Sequence, residues 1–375
     1  MDNEIALSIA IPTYNRAKSL ENLLRGLLPQ VGKSGSSVEV CISDNGSPDA
    51  TREVVMNFEK EYPGLIRYRA NEKNLGVDKN ILLVMQMARG RFIWTLGDDD
   101  TVAENAVEEI VGFTGQNKNA GLIVMKEETY FIDAQTGERI FYHNTLSANK
   151  AKVFIINKKD IIGLSFPEIA FLSVLVFNNA IIKKMFAEHR PTIEKGIGTH
   201  HVHMPLCSLM FLAYPDAAAI AFNKHPMVYR ELPRFKFFIE DKFMLHYQVQ
   251  KKINKIVLSY NNISSYAPVI ARGDKKLTMV FIKDLAVMRA FGTFNYFSYV
   301  GCLKLFFREA AFIDALLFSF TFLILSITPP VVLTSLYKVL LMARHGKNWK
   351  VQWDVLNNVS SITSSGTRRR NDLEK

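Results

Sequence analysis

The chain has 375 residues, of which 48% are hydrophobic and 22% are charged, a balance that excludes an intrinsically disordered protein. Its formal net charge of +10 suits a polyanionic partner: nucleic acid, a nucleotide-diphosphate substrate or an anionic membrane surface. The three cysteines, Cys41, Cys207 and Cys302, lie far apart without metal-ligand spacing, which argues against a disulfide framework or a zinc site. With no signal-peptide pattern at the N-terminus, a reducing cytoplasm is expected.

The first hundred residues alternate between short apolar runs and helical patterns. The predicted strands lie at residues 7–11, 38–43, 65–69 and 91–96, with helical patterns between them. Ser47-Pro48 is expected to start the second helix, and Gly90 to end the third. Short apolar strands connected by helices indicate an α/β fold whose parallel sheet is covered on both faces.

Each predicted strand ends in a polar cluster. The clusters lie at residues 13–16, 44–47, 74–76 and 98–100. Because ligands of an open parallel sheet bind at the carboxyl ends of its strands, these clusters are expected to share one site. The chain has neither a G-x-G-x-x-G loop after its first strand nor a P-loop, which leaves a mononucleotide held by a metal at the strand ends.

The acidic triplet Asp98-Asp99-Asp100 points to that metal. Three adjacent carboxylates at the end of a buried strand repel one another and are costly to desolvate, so a cation is expected beside them. Mg²⁺ and Mn²⁺ are the natural candidates, because both prefer carboxylate oxygens. The alternative is an acidic turn that caps a helix from Thr101 onward, since aspartate is a favoured N-cap residue.

Four motifs occur in order at residues 9–16, 43–51, 71–76 and 97–100. They resemble the family 2 glycosyltransferases of the GT-A fold, and most closely the abequosyltransferase-like enzymes of O-antigen assembly. The resemblance covers about residues 5–115 and weakens beyond them. It implies a Rossmann-like, mostly parallel sheet flanked by helices, a nucleotide-diphosphate sugar as donor, and Mn²⁺ or Mg²⁺ as cofactor.

The resemblance also implies a role for each motif. The candidate nucleotide-sugar-binding residues are Pro12, Thr13, Tyr14, Asn15, Arg16, Asp44, Asn45, Asn74, Gly76, Asp98 and Asp99. The candidate metal ligands are Asp98, Asp99 and Asp100, and the bound cation would screen the charge of the leaving diphosphate. Gly97 stands where many relatives have aspartate. The ligands are therefore either Asp98 and Asp100, or a set centred on Asp99.

Residues 116–240 are expected to form the acceptor half, with a strand at 121–125, a polar hairpin around 133–137 and a buried element at 170–182. Inverting enzymes of this fold need a general base for the acceptor hydroxyl.

The candidate bases are Glu194, His201 and His203, because histidine titrates near neutral pH. Alternatively, the histidines only line the acceptor cleft. A zinc site is disfavoured, because the histidines lack i, i+4 spacing and no carboxylate nearby completes a ligand set. Tyr229-Arg230 either contacts a pyrophosphate or anionic lipid, or belongs to a solvated face.

Residues 241–350 are expected to form a helical, membrane-associating region. Residues 311–328 carry one charge, and a helix there would be about 27 Å long, just short of a comfortable membrane span. Two prolines follow, and basic residues flank the apolar stretch on both sides. This pattern favours a hairpin or interfacial helices on the cytoplasmic face of a bacterial inner membrane, and the alternative is a buried helical pair. Residues 351–375 are expected to be a basic, disordered tail.

Together, the residues and the resemblance predict a metal-dependent inverting glycosyltransferase. Its glycosyltransferase domain would span residues 1–240, with the nucleotide-binding half at about 5–115. It would transfer sugar to a lipid-pyrophosphate-linked oligosaccharide in surface polysaccharide assembly. Nucleic acid is not expected as a partner, because RNP, helix-turn-helix and zinc-finger patterns are absent. The alternatives are a transferase with a soluble or protein acceptor, and an inactive nucleotide-sugar-binding membrane protein; the intact acidic triplet argues against the latter.

Overall fold

A computed structural model describes residues 4–132, 139–144, 151–162, 167–231, 253–259, 332–335 and 338. The chain divides into two compact units, Met1–Pro233 with Lys252–Ile270, and Arg234–Lys251 with Ala271–Lys375. The predicted membrane-associating region and the basic tail lie almost entirely outside the described residues. Within the described ranges, every helix is too short or too polar to cross a bilayer.

Strands and helices alternate through the first unit. The strands are β1 (Leu7–Thr13), β2 (Val38–Asp44), β3 (Ile66–Ala70), β4 (Phe92–Thr95), β5 (Thr101–Val102), β6 (Ala120–Met125), β7 (Glu127–Ile132), β8 (Arg139–Asn144), β9 (Val153–Ile155), β10 (Leu175–Asn178), β11 (Ala218–Phe222) and β12 (Val228–Glu231). The helices are α1 (Ala17–Lys33), α2 (Thr51–Glu61), α3 (Val77–Met87), α4 (Ala106–Gln116), α5 (Lys158–Ile162), α6 (Asn179–Glu188), α7 (Arg190–Glu194) and α8 (His203–Ala213).

An eight-stranded sheet forms the centre of this unit, in the order β3-β2-β1-β4-β10-β6-β11-β9. Strand β1 pairs in parallel with β2 and β4, while β9 and β10 run antiparallel to their neighbours. The predicted mostly parallel α/β sheet is therefore confirmed. Its central strands are buried on both faces, and α1 packs an apolar stripe of leucines with i, i+3, i+4 spacing into the core.

A second sheet has the order β5-β12-β7-β8. Strands β7 and β8 pair antiparallel, as the predicted hairpin requires, although its loop at 133–137 lies outside the described residues. The buried element predicted at 170–182 contains a 3-10 helix at Leu172–Val174, then β10 and the first part of α6, and β10 lies between β4 and β6.

Three local predictions about helix ends are wrong. Helix α2 begins at Thr51, whose backbone N–H is accepted by Asp49 at 3.2 Å, so Ser47 does not cap it. Helix α4 begins only at Ala106, because Thr101 and Val102 pair with β12 instead of continuing a helix from the acidic triplet. The acidic triplet is therefore not a helix cap.

Gly90 was expected to end α3, but that helix already ends at Met87. A Cβ atom at position 90 would lie 2.7 Å from the backbone nitrogen of Ser8. Gly90 is thus needed for the close approach of two backbones rather than for a helix cap.

Candidate functional site

The polar clusters that follow β1, β2, β3 and β4 lie at one edge of the central sheet. Thr13 and Asp44 are register partners on adjacent strands, and the backbone nitrogen of Asn45 donates to the Thr13 carbonyl at 2.9 Å. Asn80 joins β1 to β2 from α3, since its amide donates to the carbonyls of Ser43 at 2.8 Å and Thr13 at 3.3 Å. The expected shared edge is therefore present.

The first and fourth motifs are in direct contact. The Thr13 hydroxyl donates to Asp98 Oδ2 at 2.8 Å, and the Arg16 guanidinium lies 3.1 Å from Asp98 Oδ1. The same guanidinium nitrogen also donates to Asp99. Arg16 thus places a positive charge beside the acidic triplet, and it does so at the start of α1, where the chain leaves the sheet edge.

Burial separates the three aspartates. Asp98 and Asp100 are 6% and 8% exposed, whereas the Asp99 side chain is largely exposed. Asp100 Oδ2 accepts from the Ser173 hydroxyl, whose oxygen also accepts from the Gly97 backbone N–H at 2.8 Å. Asp100 Oδ1 is buried without a hydrogen-bond partner in the part of the chain that the structure describes.

Gly97 makes room for this arrangement. A Cβ atom at position 97 would lie 2.8 Å from Asp100 Oδ2 and 3.3 Å from the Ser173 hydroxyl oxygen. A side chain here would therefore push against the buried Asp100 carboxylate. This close approach is a physical reason for glycine at position 97.

Desolvation dominates the protonation of the two buried carboxyls. Burial raises the pKa of Asp98 to about 6, although Arg16 and the Thr13 hydroxyl favour its charged form. Burial raises the pKa of Asp100 to about 7, against the hydrogen bond from Ser173. The charges of Asp99 and Glu127 raise the Asp100 pKa further. A cation would favour the ionised forms of both carboxyls.

The donor set suits a hard divalent cation, and the unpartnered Asp100 Oδ1 is the atom most in need of one. The described residues do not include a preformed cluster of three acidic, histidine or cysteine side chains arranged to hold a metal ion. Arg16 engages Asp98 and Asp99 where such an ion would compete for their oxygens.

The other predicted nucleotide-binding residues form a hydrogen-bonded network. Asp44 accepts from the Ser47 backbone N–H at 2.9 Å and from the Tyr68 hydroxyl at 2.7 Å. Burial raises the pKa of Tyr68, and the hydrogen bond to Asp44 and the charge of Asp44 raise it further. The Asn45 amide donates to Asn74 Oδ1 at 2.9 Å.

Further members of this network shape the loops around it. Asn74 Oδ1 also accepts from the Gly76 N–H at 2.8 Å, and Gly76 has a φ of 87°, a conformation that favours glycine. The backbone N–H of Asn15 donates to the Ser47 hydroxyl at 2.8 Å, and Pro12 is part of β1. Tyr14 is 41% exposed and leaves an aromatic ring open to solvent beside the site.

The three candidate bases occupy different environments. Glu194 is exposed at the end of α7, with its carboxylate 3.8 Å from Arg190. His203 is 3% exposed, its Nε2 lies 3.1 Å from the Ala170 carbonyl, and burial lowers its pKa to about 3. His201 is half-buried, and its ring stacks on His203 with the centroids 5.6 Å apart.

Several residues of the site lack a local sequence signal. Ser173 lies in an apolar run and Asp78 in the first turn of a helix, yet Ser173 supports Asp100 and Asp78 contacts the histidine loop.

Arg230 lies 3.1 Å from the buried Glu127 carboxylate and stacks over Phe171, with 4.1 Å to the ring centroid. Its partners are thus protein groups close to Asp100, rather than bulk solvent.

Comparison with known proteins gives a family match over residues 8–164, to Glycosyl transferase family 2. An abequosyltransferase of Salmonella typhimurium is 41% identical over 101 residues, or 27% of this chain and 30% of that protein. A GalNAc(5)-diNAcBac-PP-undecaprenol beta-1,3-glucosyltransferase of Campylobacter jejuni is 31% identical over 106 residues, or 28% and 33% of the two chains. The matched segments span about a third of the length of these relatives. The resemblance predicted from the four motifs is confirmed.

Among solved structures, S. aureus TarS 1-349 in complex with UDP-GlcNAc matches with a TM-score of 0.51 at 15% identity. The match covers 76% of this chain and 86% of that one. At this identity the likeness concerns the fold alone, which is GT-A-like, with a mostly parallel central sheet flanked by helices.

Proposed function

We propose that this chain, whose residues 8–164 match the Glycosyl transferase family 2 model, transfers a sugar from a nucleotide-diphosphate donor to a lipid-linked oligosaccharide. One observation carries the proposal: the contact of Thr13 and Arg16 with Asp98 joins motifs more than 80 residues apart at the carboxyl edge of the sheet. That edge is where open α/β sheets bind their ligands.

The donor site combines groups that suit a nucleoside diphosphate. Tyr14 offers an exposed aromatic surface for a base, and Arg16 offers a guanidinium for phosphate oxygens. The network of Asp44, Asn45 and Asn74 holds the loops between them. The nucleotide sugar bound to the S. aureus structural neighbour supports this ligand class.

Asp98, Asp99 and Asp100 are the residues that would hold Mn²⁺ or Mg²⁺. The observation in favour is the buried, unpartnered Oδ1 of Asp100, which a cation would satisfy. When bound, the cation supplies positive charge where negative charge develops on the leaving diphosphate. Arg16 contributes a second positive charge at the same edge.

His201 is the base that the geometry favours. His203 is buried, bonded to a backbone carbonyl and held neutral, and Glu194 is an exposed residue ion-paired with Arg190. His201 keeps partial access to solvent beside them. In a single displacement, the acceptor oxygen forms the new glycosidic bond, the bond to the diphosphate breaks with inversion, and the hydroxyl proton passes to His201.

The acceptor and location are proposed from other features. The C. jejuni relative is named for a lipid-pyrophosphate acceptor, and the apolar, basic-flanked stretch within residues 241–350 suits a membrane surface. We therefore place the enzyme at the cytoplasmic face of a bacterial inner membrane, in surface polysaccharide assembly.

A two-stage experiment tests the proposal. Thermal unfolding is first measured with UDP, GDP, CDP and dTDP, each with and without Mn²⁺. Binding at a hundredfold excess over Kd should stabilise the protein by about 2.7 kcal/mol. The sugar nucleotides of the best base are then tested for transfer to undecaprenyl-pyrophosphate-linked oligosaccharides, with EDTA as control. Absence of any nucleotide-dependent shift together with absence of transfer would contradict the proposed function.

A further inference from the structure

Asp78, in the first turn of α3, binds a loop more than a hundred residues away. Its side chain is 3% exposed, and Oδ2 accepts from the backbone N–H groups of Gly198 at 2.7 Å and His200 at 2.9 Å. Oδ1 accepts from the N–H of Val202 at 3.1 Å. One carboxylate therefore binds three alternate N–H groups of the loop that contains His201.

The loop adopts a conformation that needs such support. Gly198 and His200 have φ values of 85° and 60°, and the second is unfavourable for a residue with a side chain. The N–H groups between the Asp78 contacts are satisfied within the loop: Thr199 donates to the Gly196 carbonyl, and His201 to the Thr199 hydroxyl. Hydrogen bonds to a charged carboxylate are stronger than neutral ones, so the three bonds to Asp78 anchor this loop to α3.

The first turn of α3 faces both parts of the site. This turn follows directly after Asn74 and Gly76. Asn80, two residues after Asp78, donates hydrogen bonds to β1 and β2. On the other side, the loop that Asp78 binds leads into His203, which contacts the Ala170 carbonyl. Ala170 is three residues before Ser173, the hydrogen-bond partner of Asp100. Asp78 thus connects the nucleotide motifs to the histidine loop.

We propose that Asp78 is a positioning residue that holds the 198–202 loop so that His201 faces the acceptor hydroxyl. This inference rests on the proposed function, which makes His201 the base. Asp78 itself does not touch the reacting atoms; it acts through the backbone of the loop.

The test compares Asp78→Asn with Asn178→Ala in the full chain. Asparagine keeps the shape of aspartate but turns an N–H₂ group toward N–H donors. We expect D78N to lower kcat for transfer about 10- to 100-fold and to leave the donor KM within about twofold, since small misplacement of a catalytic group costs rate. Asn178 accepts two N–H groups at the start of α6, so N178A loses comparable bonds elsewhere and should keep kcat.

Amide hydrogen exchange gives a readout that does not depend on activity. D78N should speed exchange at Gly198, His200 and Val202 and leave β1 and β4 protected. In a His201→Gln background, D78N should cost less than twofold in kcat, because the residue that it positions is gone. Unchanged loop exchange, or a full loss of kcat in that background, would overturn the positioning role.

A further variant covers the case in which D78N does not fold. His200→Gly relieves the left-handed residue, so D78N combined with H200G should fold and should lose less than about tenfold in kcat relative to H200G alone. A loss of about 10- to 100-fold relative to H200G alone would overturn the inference. Absence of transfer by the unmodified chain would overturn the proposed function, whereas loop exchange in D78N would still show whether Asp78 holds the loop.

Discussion

Burial acts on both the acidic triplet and the histidine loop, with opposite chemical results. In the triplet it raises the pKa of Asp98 to about 6 and of Asp100 to about 7, because a charged carboxylate is poorly solvated there. In the loop it lowers the pKa of His203 to about 3, because the charged imidazolium is the disfavoured form. The triplet therefore gains from a cation, while the buried histidine stays neutral.

Burial thus has different consequences for groups that can bind a cation and for groups that only support the structure. At the triplet, an unpartnered carboxylate oxygen remains at the sheet edge, where a ligand can satisfy it. In the loop, the backbone N–H groups are satisfied by Asp78 and by the loop itself, and His201 keeps partial exposure. Substitutions in the triplet and in the loop test this division.

Asp100→Asn should abolish the charge that a divalent cation needs while it preserves the shape of the side chain. We expect transfer to fall about 10²- to 10³-fold, the range seen when one electrostatic contact to a developing charge is lost. Electron paramagnetic resonance of free Mn²⁺ should show weakened binding in the same variant. Asp216→Asn, at an exposed aspartate, is the matched control. Normal Mn²⁺ binding and normal transfer by D100N would contradict the metal assignment.

Exchanging each histidine for glutamine should distinguish His201 from His203. We expect H201Q to lower kcat at least about 10²-fold with little change in donor KM, since general bases contribute 10²- to 10⁴-fold. H203Q should lower kcat less than about tenfold, because its ring is buried and bonded to Ala170. Steady-state kinetics with saturating acceptor separates the two, and the reverse order of effects would exclude His201 as the base.

Gly97→Ala should disturb the triplet without removing a carboxylate. The new methyl group would lie 2.8 Å from Asp100 Oδ2, so the carboxylate must shift, and Mn²⁺ affinity should fall about tenfold, or about 1.4 kcal/mol. Gly112→Ala in α4 is the control, because a Cβ atom there meets nothing within 4 Å. Isothermal titration with Mn²⁺ measures both, and equal affinities would show that Gly97 has no role in shaping the site.

His203 should make the fold sensitive to acid. Its pKa in the folded state lies below the ordinary value of 6.5, so the unfolded state binds the extra proton as pH falls below 6.5. The neutral His203 contributes its full stability above pH 6.5, and this contribution is lost progressively toward pH 3. At pH 5 the loss in the free energy of unfolding is about 2 kcal/mol. Urea denaturation at pH 7.5 and 5 should show a larger loss for the native chain than for H203Q. Equal losses would show that His203 charges without cost.

Local sequence patterns were sufficient for the strands and for the polar clusters behind them. Apolar runs of the right length predict β1, β2 and β4, and parallel strands necessarily bring their carboxyl ends to one edge. For this reason, the sequence alone predicts that Thr13, Asp44 and the acidic triplet share one site. Helix starts were less predictable. Helix α2 begins at Thr51, which is hydrogen-bonded to Asp49, and not at Ser47. Strand β5 occupies residues 101–102, where the alternative interpretation of the triplet placed the start of a helix.

The sequence by itself determined the alternating α/β pattern and the acidic edge, because both are written in residues close together in the chain. Only the tertiary structure decided which aspartates are buried, that Arg16 faces them, that Ser173 supports Asp100 and that Asp78 ties down the histidine loop. Those contacts join residues that are 73 to 124 positions apart in the sequence. Local periodicity has no information about such pairs, since burial and hydrogen bonding at the site are set by which elements the sheet brings together.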